Sequence, residues 1–169
     1  MTGSMLSPAL AALAGSGVIA ALCAVASIDA ARFRISLGWS GLALLCALAW
    51  WAVSETGSGW MTIVGLGALA GVLGALAQIG IATVRGRPWP LLGGDIVLMA
   101  VIGAVLGILW LPWGLAAGCL GTLAYRAWLQ RRRGRPFRRG YVPLAPGMVG
   151  GTIAVFAGRM AGVLPDRWV

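Results

Sequence analysis

The sequence predicts an all-α protein, a single bundle of six transmembrane helices, and three observations support this fold class. Of its 169 residues, 60% are hydrophobic and 10% are charged, whereas a water-soluble domain carries about a quarter charged residues. The apolar residues form six runs, and each run is long enough, at about 1.5 Å per residue, to cross or nearly cross a bilayer. The gaps between these runs are short, so we expect residues 1–169 to form one domain without a separate soluble part.

The six predicted helices span about residues 8–28, 37–53, 60–84, 96–111, 113–129 and 146–164. The first run is interpreted as a retained helix and not as a signal peptide, because no basic residue precedes it and five apolar runs follow. In the third helix, Gly67 and Gly71 have the spacing that allows another helix to approach closely. Residues 112–114 (Pro-Trp-Gly) predict a tight, uncharged turn between the fourth and fifth helices.

The basic residues predict how the bundle is oriented. All thirteen are arginines, and most lie in three gaps, which contain Arg32 and Arg34, Arg85 and Arg87, and the cluster 131–139. The two intervening gaps contain no arginine, so the positive-inside bias places the three basic loops in the cytoplasm and both termini outside an inner membrane. The net charge of +9 therefore indicates membrane orientation rather than nucleic-acid binding.

Composition excludes several classes of active site. The chain has no histidine, which excludes Ser-His and Cys-His catalysis and the usual zinc sites. Cys23, Cys46 and Cys119 lie in separate apolar runs without a C-x-x-C pair, so we interpret them as packing residues. No metal site and no cofactor is predicted.

Two of the four acidic residues are predicted at the same membrane depth. Asp29 ends the first helix as it reaches the cytoplasm, and Asp95 begins the fourth helix as it leaves. Neighbouring carboxylates share one proton, so one can activate water while the other protonates a carbonyl oxygen. Each residue also has a simpler interpretation: Asp29 could pair with Arg32, and Asp95 could cap its helix.

Three segments resemble the type IV prepilin peptidases, intramembrane aspartic proteases with a G-x-G-D motif that include the archaeal preflagellin peptidases. Residues 27–35 (SIDAARFRI) are similar to the family's turn after helix one. Gly94-Asp95, followed by Leu98 and glycines at 103 and 107, is similar to the G-x-G-D helix. Residues 141–147 (YVPLAPG) resemble the segment before helix six. With six helices, the resemblance covers nearly the whole chain.

The resemblance implies an aspartic endopeptidase that removes the leader of a pilin-like precursor at the cytoplasmic membrane face. It implies that Asp29 and Asp95 are the catalytic pair. Further residues are expected to shape the site or bind substrate: Gly93, Gly94, Gln78, Pro143 and Pro146. Gln78 also has a simpler interpretation, a hydrogen bond between helices. The zinc-binding cysteine pairs of the long bacterial forms are absent, which implies a peptidase-only form like that of Flp/Tad-type pili, without methyltransferase activity. The implied partners are the precursor and membrane lipid, not nucleic acid.

Departures from the family pattern keep other hypotheses open. Leu92 replaces the first glycine of G-x-G-D, Val97 stands where lysine is frequent, and residues 36–37 replace a Pro-Asn or Pro-Asp pair. These changes motivate a second hypothesis, a catalytically inactive relative that binds pilin precursors or supports their assembly. A third hypothesis, a small proton-coupled transporter, predicts acidic residues deeper in the spans, and the sequence has none there.

Overall fold

The apolar runs fold into helices throughout the part of the chain that the computed structural model describes, residues 6–32, 34–54, 59–86, 93–133 and 145–164. The helices are α1 (Leu6–Arg32), α2 (Leu37–Ser54), α3 (Trp60–Val84), α4 (Gly93–Arg133) and α5 (Ala145–Met160). The first four are long and apolar enough to cross a membrane, which indicates a membrane protein. α5 has 16 residues, fewer than the roughly 20 of a typical span.

The predicted fourth and fifth helices are one element, α4, which breaks at Gly107 into limbs of residues 93–106 and 108–133. The break between the predicted fourth and fifth helices therefore lies at Gly107, and the predicted turn at 112–114 was wrong, because residues 112–114 are helical. Gly107 has φ 70° and ψ 169°, a backbone region that is essentially restricted to glycine. Pro112 lies within the second limb, because transmembrane helices tolerate proline when neighbouring groups satisfy the freed backbone.

The chain bends sharply at this break. Leu106 and Gly114 would lie about 12 Å apart along a straight helix. A Cβ placed on Gly114 would nevertheless meet the Cδ1 of Leu106. The two limbs of α4 therefore run in opposite general directions, and both of its ends return toward the same side of the bundle.

Glycines bring the backbones of α3 and the first limb of α4 into contact. A Cβ on Gly67 would meet the carbonyl oxygen of Gly103, and a Cβ on Gly71 would meet the carbonyl oxygen of Met99. Residue numbers rise along α3 as they fall along α4, so the two helices are antiparallel. The close approach predicted from Gly67 and Gly71 is confirmed, because neither helix has room for a side chain here.

α5 packs against the second limb of α4 in the same way. A Cβ on Gly151 would meet the backbone nitrogen of Gly118, and a Cβ on Gly147 would meet the side chain of Thr122. These two helices are also antiparallel. α1 lies between α2 and α5 and completes a core whose fully buried side chains include Val18, Leu22, Ile102, Leu106 and Phe156.

Three helix ends differ from the predicted ones. α1 continues through Arg32, so Asp29 lies inside its last turns, because Ala30 and Ala31 favour helix. α4 continues through Arg133, so the first arginines of the predicted third loop belong to a helix. α5 stops at Met160, before the predicted end at 164, because Gly162 has φ 66° and the N–H of Val163 donates to the carbonyl of Gly158, which forms a Schellman cap.

Arg159 is buried at the end of the bundle that carries the last turn of α5. Its side chain is 4% exposed, and its guanidinium carbon lies 5.1 Å from the ring centre of Trp50 and 4.7 Å from that of Trp51. This cation is packed on aromatic faces that join α5 to α2.

The glycine contacts predict the effect of adding one methyl group to α3. We expect Gly67→Ala to lower the free energy of unfolding by about 1–3 kcal/mol, because the new Cβ overlaps the backbone of α4. Gly74→Ala is the matched control, since a Cβ there meets nothing within 4 Å and alanine favours helix. Thermal unfolding in detergent measures both, and equal stability of the two variants would contradict the α3–α4 packing.

Candidate functional site

Asp29 is buried near the end of α1 and contacts the first residue of α5. Its side chain is 7% exposed, and its Oδ2 accepts a hydrogen bond of 3.2 Å from the backbone N–H of Ala145. The first N–H groups of any helix lack partners within that helix and favour a negative charge. The carboxylate of α1 therefore caps the first described turn of α5 from another helix.

Asp95 lies in the first turn of α4, is partly buried, and stands close enough to Asp29 for the two charges to interact. The structure thus has the two aspartates that the sequence paired on the same side of the bundle. The simpler role also holds for Asp95, because a carboxylate in the first turn stabilises the positive end of its own helix. We call this side of the bundle, defined by Asp29, Ile35, Asp95 and Ala145, the aspartate end.

The loop between α1 and α2 packs onto the beginning of α4. A Cβ placed on Gly94 would lie 3.0 Å from the Cβ of Ile35, which is tighter than ordinary side-chain contacts. α4 begins at Gly93, one residue earlier. Gly93 and Gly94, which were predicted to shape the site, therefore lie at the aspartate end. The contact with Ile35 leaves little space there for a residue larger than glycine at position 94.

Pro146, predicted to shape the site, lies beside Ala145 and lines a groove of about 290 Å³ between α5 and the second limb of α4. Small residues make up most of the lining: Ala117, Gly121, Tyr125, Pro146, Gly147, Gly150, Gly151 and Ala154. The Pro146 end of this groove follows the residue that contacts Asp29, and neither aspartate is among the residues that line it. It is partly open to the surroundings of the bundle, where Gly150 is exposed.

Two other predicted residues are placed differently. Gln78 follows Gly71 by two helical turns on the same face of α3, at the level where α4 begins, and its side chain is exposed. It lies at the aspartate end but at the outside of the bundle. Pro143 lies outside the described residues, as does Leu92.

Arginines are concentrated at the aspartate end. α1 ends at Arg32, α3 is followed by Arg85, and the second limb of α4 returns to this side and ends with residues 131–133. The guanidinium of Arg132 lies 4.6 Å from the ring centre of Trp128, one helical turn earlier. The arginine-bearing helix ends and the two aspartates therefore occupy one side of the molecule.

Sequence reasoning missed two contributors to this site, Ala145 and Ile35. Ala145 acts through its backbone N–H, which every residue except proline has, so its identity gives no signal. Its position did offer a signal, because Ala145 follows a proline-containing segment at the start of an apolar run, where backbone N–H groups lack partners. Ile35 contributes an apolar contact that depends on where the loop folds, which residue type alone does not specify.

The hydrogen bond to Ala145 predicts different effects for two changes at Asp29. Asp29→Asn keeps an oxygen acceptor, so we expect its unfolding free energy to stay close to that of the wild type. Asp29→Leu leaves the N–H of Ala145 buried without its acceptor and should cost about 1–3 kcal/mol more. Thermal unfolding of both variants in detergent tests this, and a leucine variant as stable as the asparagine variant would argue against the contact.

The chain matches no protein-family model, and no curated protein or solved structure is significantly similar to it. A function for this chain is therefore inferred from the aspartate pair, the contacts that hold it and the helices around it.

Proposed function

We propose that the protein is an intramembrane aspartic endopeptidase that removes the leader of type IV pilin-like precursors. The observation that carries this proposal is the position of Asp29 and Asp95 at one end of the bundle, on separate helices and near enough for their charges to interact. Carboxylates inside a bundle of apolar helices are costly and are functional candidates by default. The resemblance of the segments around both aspartates to prepilin peptidases supplies the substrate class.

In this proposal the two carboxylates divide acid and base roles. The ionised member accepts a proton from a water molecule, and that water attacks the carbonyl carbon of the scissile peptide bond. The protonated member donates its proton to the carbonyl oxygen, and the tetrahedral species then breaks down to the two peptides. The amide of Ala145 supports this chemistry by fixing the Oδ2 of Asp29 with a hydrogen bond.

The surroundings of the pair suit a membrane-embedded substrate. The groove beside Pro146 is lined mainly by small residues, which allow an apolar helix to approach the backbone closely. A precursor whose leader precedes an apolar helix would place that helix in the groove and its cleavage point at the aspartates. The arginines at the same end favour a cytoplasmic location for this side, with the chain termini outside.

The departure from the family pattern at Val97, two residues after Asp95, lies on an exposed face of α4. Its side chain is 38% exposed, whereas the next residue, Leu98, is buried. A change from lysine to valine on an outer face removes no group from the interior near Asp95. This placement favours an active enzyme over an inactive precursor-binding relative.

The test is cleavage of candidate precursors from the same genome, co-expressed with the wild type or with single variants. Asp29→Asn and Asp95→Asn should each reduce cleavage by at least about 100-fold, since each removes one member of an acid–base pair. Immunoblotting of precursor and product measures the reaction, and membrane fractionation confirms insertion.

Glu55→Gln is the matched control, because it removes an acidic residue that the predicted topology places across the membrane. It should cleave like the wild type. Cleavage that survives either aspartate variant would refute the paired mechanism. A wild type that binds precursors but cuts none would instead support the inactive relative.

A further inference from the structure

Ser40 carries a buried hydroxyl that the proposed chemistry has not used. Its side chain is fully buried in α2, and its Oγ has no hydrogen-bond partner among the described protein atoms. Helical hydroxyls elsewhere in this chain donate to a carbonyl one turn earlier, as those of Ser27, Thr122 and Thr152 do. Burial of a hydroxyl without a hydrogen-bond partner costs free energy, so we expect a bound molecule to supply the missing hydrogen bond.

The buried face of α2 places Ser40 beside the first limb of α4. Ser40 precedes Trp51 by three helical turns, so the two residues share one face. The indole Nε1 of Trp51 donates a hydrogen bond of 3.1 Å to the carbonyl of Ala104. The contact of Ile35 with Gly94 shows that the two helices run parallel. Counting eleven residues back from Trp51 and Ala104 places Ser40 level with Gly93, whereas counting five residues forward from Ile35 and Gly94 places it level with Met99. Ser40 therefore lies alongside the first two turns of α4, which contain Asp95.

The contacts of α1 lead to the same location. A Cβ on Gly17 would lie 2.8 Å from the Sγ of Cys46, and α1 and α2 are antiparallel. Ser40, six residues before Cys46, is therefore level with Cys23 of α1, whose buried neighbours are Leu22 and Val25. Asp29 follows six residues later, about 9 Å along the helix axis.

We propose that Ser40 is a water-binding residue that holds, about 9 Å along the axis of α1 from Asp29, a water molecule that supplies the aspartate pair for peptide hydrolysis. The hydroxyl offers one donor and two acceptor positions, which suit a water molecule passing between α1, α2 and the first limb of α4. Binding of water at this position requires only the buried hydroxyl and its location. Its use in hydrolysis rests on the proposed function.

Thiol labelling tests access of water to this position without requiring cleavage. In a chain whose three native cysteines are changed to alanine, Ser40→Cys should react with a small water-soluble methanethiosulfonate at least about ten times faster than Ala43→Cys, because the reactive thiolate forms where water reaches. Ala43 is the matched control, since it is fully buried on the same helix one turn farther from the aspartate end. Equal, slow labelling of the two variants would overturn the water site, whatever the cleavage assay shows.

Cleavage and stability of Ser40→Ala test the use of that water. We expect cleavage to fall about tenfold, the effect of losing one hydrogen bond to a reactant, while the melting temperature stays unchanged or rises because no protein partner is lost. Fast labelling at position 40 with wild-type cleavage by Ser40→Ala would overturn the role in hydrolysis. If the wild type cleaves no precursor, the proposed function fails, and the labelling result still decides the water site.

Discussion

The reversal of the chain at Gly107 is the constraint on which the position of the site depends. Because α4 bends there, its first limb begins and its second limb ends on the same side of the bundle. The first limb brings Asp95 to this side, and the second limb returns the chain so that α5 begins there with Ala145. In a straight helix of this length, Asp95 and the start of α5 would lie at opposite ends of the molecule, about 60 Å apart.

The glycines that allow this reversal also hold it in place. The first limb of α4 lies against α3 where Gly67 and Gly103 face each other, and the second limb lies against α5 where Gly118 and Gly151 do so. Between apolar helices in a membrane, close backbone packing replaces the hydrophobic effect as the source of stability. The bend is therefore held by contacts on both sides. These contacts lie deeper in the bundle, and they determine where the helix ends that carry the aspartates are located.

The sequence predicted the features that depend on composition and alternation of apolar and charged runs. The helices follow from the long apolar segments, and the location of Asp29 and Asp95 on one side of the bundle was predicted from the arginines that orient successive spans. The location of the α4 break was predicted wrongly, because Pro112 is the stronger signal in the sequence. The need for glycine at position 107 comes from its backbone conformation, which only the structure shows. The contact of Asp29 with Ala145 and the burial of Ser40 could not be predicted, since both depend on how distant helices are rotated against each other.

The two proposed reactants would reach the aspartates past different helices. The groove for an apolar segment lies between α5 and the second limb of α4, next to Pro146. Ser40 lies on α2, which faces α1 and the first limb of α4. Such a separation resolves a difficulty that faces any hydrolase in a membrane, where the substrate is apolar and the second reactant is water. A peptide bond entering along α5 would meet Asp29 on one side, while water held near Ser40 would approach the pair from the other without crossing the substrate groove.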